Sequence, residues 1–397
     1  MNRDLDKLQP YPFQKLAKLF GEVTPDKSYK PISLHIGEPK HATPGFIKEA
    51  LISGLDGLAN YPTTVGDPTL RTAIANWLAT RYSIPVPDVD KQILPVNGSR
   101  EALFAFAQAV IDRTKAAPVV VCPNPFYQIY EGAALIAGAT PKFLNTLPED
   151  GFALNFNQLP ETVWQNTQLV YVCSPGNPNG RVMPLDEWKT LFAMSDRYGF
   201  VIASDECYSE IYFGEDKPLG ALQAAYRLGR KEYTNLVVFS SLSKRSNVPG
   251  LRSGFVAGDA GILDKFTLYR TYHGCAMSPA VQKASLAAWS DESHVAENRR
   301  QYAEKFDKVI AMLAPVLPVA KPDAGFYLWV RTPIPDTTFA QRLYRDYNVS
   351  VLPGSFLARE EKGINPGSGF VRLALVANVE ETLEAAHRIA EFTRKLD

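Results

Sequence analysis

Five short apolar runs, at 118–122, 169–173, 200–203, 236–239 and 253–257, punctuate the middle of this chain, and most are separated by helix-length segments. A strand wetted on one face alternates apolar with polar residues. A nearly continuous apolar run instead has both faces covered, which requires a mostly parallel sheet between layers of helix. The intervening segments agree with this. Leu70, Ile74, Trp77 and Leu78 share one face of a helix expected over 68–82, and a second helix over 100–113 is opened by Asn97-Gly98-Ser99. Pro184 suits a first helical turn and Gly199 a C-terminal cap, with Trp188, Leu191, Phe192 and Met194 between them. From about 280 the texture changes: a long helix over 280–314, a strand over 325–330, a helix over 338–347, strands at 349–352 and 370–375, and a closing helix over 378–395. These read as a smaller α+β domain. The expected division is 1–45 as an arm and part of the small domain, 46–285 as the large domain, and 286–397 as the small C-terminal domain.

With 397 residues and 46% apolar content the chain can bury a sizeable core. Lys+Arg and Asp+Glu are both 42, so no basic excess points to nucleic acid or an anionic membrane. The first residues lack an apolar signal core and no apolar run approaches spanning length, so a cytoplasmic protein is expected. Cysteines 122, 173, 207 and 275 are too widely spaced for a metal knuckle or redox pair, and histidines 35, 41, 273, 294 and 387 form no ligand pair; no metal is expected.

In open α/β sheets, ligands gather at the carboxyl ends of strands, and three of the expected strands end in polar clusters. The run at 169–173 leads into Ser174-Pro175-Gly176-Asn177-Pro178-Asn179-Gly180. The run at 200–203 leads into Ser204-Asp205-Glu206-Cys207-Tyr208. The run at 236–239 leads into Ser240-Ser241-Leu242-Ser243-Lys244, with Arg252 further on. Taken singly, each also reads as a turn, a helix cap or a solvated loop. Taken together, a lysine amine beside hydroxyls and a guanidinium suits a phosphorylated aldehyde.

Those clusters, with Tyr-Pro-Thr-Thr-x-Gly and Leu-Arg at 61–71, Gly-x-Arg at 250–252 and Val-Arg-Leu-Ala at 371–374, resemble the class I/II aminotransferases of the aspartate aminotransferase fold, over nearly the whole chain. The resemblance implies fold type I: a large domain with a seven-stranded sheet and a smaller α+β domain. It implies pyridoxal 5'-phosphate as cofactor, small amino and keto acids as substrates, and a homodimer with shared sites. It makes Lys244 the residue that holds the cofactor aldehyde and later moves the proton. Asp205 pairs with the pyridine nitrogen, and Tyr208 and Asn177 with the phenolic oxygen. Ser99, Arg100, Ser241, Ser243 and Arg252 hold the phosphate, joined by Tyr61 from the partner subunit, and Tyr127 stacks on the ring. Arg372 grips the substrate carboxylate in a pocket completed by Gly37 and Asn177. Asn177–Pro178 is expected to be cis.

A narrower resemblance, through 34–41, 352–360 and 365–368, is to N-succinyldiaminopimelate aminotransferases. It implies glutamate and an N-succinylated 2-amino-6-keto acid as the substrate pair. The distal anion then needs a second cation, for which Arg100 is the first candidate and Arg359 the second. Gly250-Leu251-Arg252, where many relatives have Gly-Trp-Arg, bears on subfamily only. Aspartate or aromatic aminotransferases and carbon–sulfur lyases on the same fold are the alternatives. A regulator built on the fold would carry a DNA-binding segment, for which 1–35 is too short. A nucleotide-binding enzyme would carry a glycine-rich fingerprint that is missing here.

Overall fold

The structure is a computed structural model describing residues 1–396. Its strands in chain order are β1 (Ile32–Ser33), β2 (Ile93–Val96), β3 (Val119–Asn124), β4 (Thr140–Asn145), β5 (Thr167–Cys173), β6 (Val201–Asp205), β7 (Leu236–Ser241), β8 (Gly254–Gly258), β9 (Tyr327–Arg331), β10 (Val349–Ser350), β11 (Leu352–Pro353) and β12 (Phe370–Ala374). Seven of them form one sheet in the order β2-β8-β7-β6-β5-β3-β4. All neighbours are parallel except the two that involve β8.

The continuous apolar runs do cover both faces. Val119, Val121, Val170, Val172 and Ile202 point into one core, while Val120, Cys122, Leu169, Tyr171 and Ala203 point into another on the opposite face. Alternation along each strand therefore divides residues between two dry layers. The edge strands β2 and β4 escape the sequence reading because each carries a proline, Pro95 and Pro141. Proline cannot donate to a ladder and is tolerated at a sheet edge, so these strands lack the signature of the central ones.

A third core joins Ile32 and Leu34 to Phe306, Leu328, Phe339, Val371 and Ile389, so the N-terminal segment packs with the C-terminal elements. There β11, β12 and β9 form an antiparallel sheet, and β1 pairs with β10 in parallel. The single helix expected over 280–314 is two, Pro279–Trp289 and Ser293–Leu313. Asp291 accepts from the His294 amide at 3.0 Å, and the intervening Glu292 carboxylate pairs with the buried Arg245 guanidinium. Local capping therefore interrupts an amphipathic pattern that reads as continuous. The helix expected to reach 113 stops at Val110. No helix among the described residues is long and apolar enough to cross a membrane.

Candidate active site

The carboxyl ends of β5, β6 and β7 open into a cavity of about 460 Å³. Its walls include Lys244, Asp205, Tyr208, Asn177, Ser99, Arg100, Tyr127, Ser241, Ser243, Arg252, Arg372 and Gly37. Adjacent parallel strands bring the polar clusters together: Cys173 lies opposite Asp205, and Asp205 opposite Phe239 two residues before Ser241.

Lys244 sits on a short helical turn, Leu242–Arg245, immediately after β7. Its Nζ donates to the Gly37 carbonyl at 2.5 Å. Burial, with the Arg372 and Arg252 guanidiniums nearby, pushes the amine down to about 8. A Cβ at Gly37 would collide with the Tyr327 ring and hydroxyl, so glycine lets Tyr327 pack against this backbone. The next residue, Arg245, turns away into the core, where its guanidinium lies between Trp77 and Trp289 and donates to the Ala288 carbonyl.

Asp205 is buried at the end of β6. It accepts from the Tyr130 hydroxyl at 2.8 Å and the Cys207 amide at 3.3 Å. Burial raises its pKa despite those donors, which marks a carboxylate in need of a facing cation. Tyr130 stacks on Tyr171, with centroids 4.6 Å apart, and that packing fixes its aim.

At the other end of the cavity, helix Ser99–Val110 points its N-terminus inward. Gly98 precedes it at φ +98°, where a Cβ would collide with the Arg252 guanidinium. The turn is thus open enough for backbone amides to face an anion. Ser99, Ser241 and Ser243 bring hydroxyls. Arg252 holds a left-handed backbone, φ +54°, and donates to Glu101 at 2.6 Å and to the Pro249 carbonyl at 2.8 Å. Its pairing with Glu101, in the first turn of that helix, is not legible in the sequence.

Arg372 lies on β12 and is 4% exposed. Nη1 donates to Asn177 Oδ1 at 3.0 Å and Nη2 to the His35 carbonyl at 3.0 Å, while the guanidinium lies 4.3 Å from the Tyr327 ring centre. Its Nε is buried and has no partner among the described residues. A guanidinium only donates, so Asn177 must present its oxygen to Arg372, which leaves its amide NH2 for other acceptors. Burial, with Arg372 and Lys40 close by, pushes His35 down to about 4, so its ring adds no competing charge. Tyr208 shares a 3.2 Å hydrogen bond with Tyr327. The Asn177–Pro178 bond is cis, as are Ser174–Pro175 and Asn124–Pro125.

Two expected residues are not brought to the cavity. Arg359 donates through Nε to Glu131 at 2.8 Å and lies 5.2 Å from the Phe126 ring centre, so its charge is already met inside the protein. Tyr61 is fully exposed on this chain's surface. Arg100 reaches the mouth, 5.6 Å from the Tyr11 ring centre, and makes no ion pair among the described residues. Further wall residues carry no site signal in the sequence: Tyr11, Pro12 and Phe13 from the N-terminal arm, Gln128 and Tyr327; Glu38 and Cys207 also line the cavity. The arm is held by Leu16 packing on Leu352 and Leu357, a contact across more than 300 residues that local pattern cannot show. Tyr130, on helix Ile129–Ile136, carries no site signal in the sequence.

The donor set fits a phosphorylated pyridine aldehyde: an amine of lowered pKa, a buried carboxylate lacking a cation, an anion cradle at a helix N-terminus, and an unpartnered guanidinium nitrogen for a carboxylate. Comparison with known proteins points the same way. Residues 29–389 match the family described as aminotransferase class I and II. An LL-diaminopimelate aminotransferase of Nitratidesulfovibrio vulgaris (strain DP4) is 32% identical over 98% of this chain and 97% of its own length. The crystal structure of an aminotransferase from Neisseria meningitidis Z2491 superposes with a TM-score of 0.97 at 53% identity, covering 99% of this chain and 100% of that one. A probable N-succinyldiaminopimelate aminotransferase from Thermus thermophilus gives 0.84 at 25% identity, covering 96% and 99%. With a family match across most of its length and the site chemistry that family needs, this chain belongs to the class I and II aminotransferases, whose cofactor is pyridoxal 5'-phosphate.

Proposed function

We propose that this chain moves an amino group between glutamate and a long keto acid of the diaminopimelate type, N-succinyl-2-amino-6-oxopimelate, in lysine and cell-wall precursor synthesis in the cytoplasm. The observation that carries the substrate reading is the pair of guanidiniums in one cavity. Arg372 is deep with an unpartnered Nε, and Arg100 stands at the mouth with no ion pair among the described residues. With an α-carboxylate on Arg372, Arg100 in the same cavity suits the distal carboxylate of a long substrate. The bound cofactor supplies an electron sink for the carbanion at the substrate α-carbon. Lys244 would hold the cofactor and then, as a free amine, move the proton between the substrate α-carbon and the cofactor C4′. Asp205, aimed by Tyr130, keeps the ring nitrogen protonated, and Tyr208 and Asn177 donate to the phenolic oxygen. Tyr127 covers the ring, while Ser99, Ser241, Ser243, Arg252 and the first amides of helix Ser99–Val110 hold the phosphate.

A second substrate reading is LL-diaminopimelate itself, named in the curated relatives. It is favoured by Glu38 on the cavity wall, whose carboxylate suits the distal ammonium that the succinylated compound lacks. A panel pairing glutamate or 2-oxoglutarate with each compound, and with aspartate and aromatic substrates, separates the readings. Arg100→Ala is expected to raise KM for the preferred long substrate about tenfold or more, the loss of one charge-assisted contact. Unchanged KM for glutamate and the long substrate would remove Arg100 from this role. Fast turnover of aspartate or an aromatic acid with neither long compound used would overturn both readings.

The chain is proposed to work as a homodimer that places Tyr61 of one protomer at the phosphate of the other. The full exposure of Tyr61 supports this. Tyr61→Phe is then expected to weaken cofactor affinity severalfold, by about 1 kcal/mol. A sedimenting species of one chain at working concentration would sink the idea.

A further inference from the structure

Lys305 is 0% exposed, on helix Ser293–Leu313, and pairs with no carboxylate among the described residues. Its ammonium donates to His41 Nε2 at 2.8 Å and to the Ala377 carbonyl at 2.8 Å, and lies 4.3 Å from the centre of the Tyr302 ring. Burying a lone ammonium is costly, and an apolar side chain of the same volume is commonly as stable or more so. Packing alone therefore does not account for a lysine here. Burial pushes its pKa down to about 7.

The contacts continue from Lys305 toward the cavity. His41, which burial and Lys305 push down to about 4, is neutral. Because its Nε2 accepts from Lys305, its Nδ1 carries the proton and donates to Asn298 Oδ1 at 2.7 Å. Asn298 is 3% exposed, and its Nδ2 donates to the backbone carbonyl of Lys244 at 3.2 Å. His41 also ends the segment whose Gly37 carbonyl accepts from the Lys244 amine. One connected set thus fixes the backbone of Lys244 at one end and the segment facing its amine at the other.

We propose that Lys305, acting through His41 and Asn298, is a positioning residue for Lys244: it holds the lysine backbone and the 37–41 segment in the relation that lets the amine reach the cofactor aldehyde. This rests on the reading of Lys244 given above. None of the three side chains lines the cavity, so their effect passes through Lys244 rather than through substrate contact.

The test is a double-mutant cycle on capture of pyridoxal 5'-phosphate by the apoprotein, monitored by the visible absorption of the lysine-linked cofactor. Lys305→Met and Asn298→Ala are each expected to slow capture about tenfold. The double variant should be no slower than about tenfold, because the two groups act along one path. In steady state each should lower kcat with KM for glutamate little changed. Thermal unfolding of apo Lys305→Met should stay within a few degrees of the parent. Multiplicative slowing in the double variant, or parental capture in both single variants, would overturn the proposal. If Lys305→Met does not fold, His41→Phe takes its place in the cycle with the same expectations. The parent and Lys244→Ala serve as controls: a parent that forms no lysine-linked absorption overturns the site reading itself, and this inference with it.

Discussion

Lys244→Ala should bind pyridoxal 5'-phosphate without forming the lysine-linked absorption band, and its transamination rate should fall by about a thousandfold or more. Such a loss is expected when one group serves as both covalent holder and proton carrier. The parent apoprotein adds a pH signature. Attack on the aldehyde needs the neutral amine. Burial first, and then the neighbouring Arg372 and Arg252 charges, place the Lys244 amine at about 8 instead of 10.5. Because the charged form is the one disfavoured, the neutral fraction grows as pH rises through that value, reaching about a tenth already at pH 7. Capture should therefore accelerate with pH and level off with a midpoint near 8. A midpoint near 10.5 would mean that the amine is solvated, and near-parental turnover by Lys244→Ala would remove the basis of the site.

Arg372→Leu carries the second large effect. In the parent, Nη1 and Nη2 are fixed by Asn177 and the His35 carbonyl, and the ring of Tyr327 covers one face. The guanidinium is thus held before any substrate arrives, and a carboxylate gains its bonds without much loss of side-chain freedom. Removing two charge-assisted hydrogen bonds should cost about 3 kcal/mol or more, a hundredfold or greater fall in kcat/KM for glutamate. Most of it should appear in KM, with cofactor capture little changed. Arg372→Lys should not restore it, because an ammonium cannot reproduce the planar fork. A KM within about threefold of the parent in Arg372→Leu would show that the carboxylate binds elsewhere.

Much of the site was legible because its residues come directly after apolar strands. Asp205 closes β6, Asn177 lies four residues after β5 ends at Cys173, and Lys244 lies three after β7 ends at Ser241. Polar residues in such places stand out against the strands that precede them. Arg359 shows where this reasoning stops. Its sequence neighbourhood suits a substrate reader, yet Glu131, 228 residues away in the chain, takes its guanidinium. Nothing local distinguishes a cation with a buried partner from one without. Tyr130 is the converse case: nothing beside it in sequence marks it, and only its stack on Tyr171 aims its hydroxyl at Asp205.

Already in the amino-acid order lie the layered α/β architecture and the strand ends that bring Asn177, Asp205 and Lys244 to one cavity. Those are consequences of local pattern: continuous apolar runs demand two covered faces, and the residues just past the end of such a run lie at the sheet's ligand-binding edge. Which guanidiniums remain free for a ligand, how the N-terminal arm lines the cavity, and how Lys305 connects through His41 and Asn298 to Lys244 emerge only once the chain is folded. Each depends on side chains meeting across distant segments. Whether a buried charge is satisfied depends on that meeting, and not on the residues beside it in sequence.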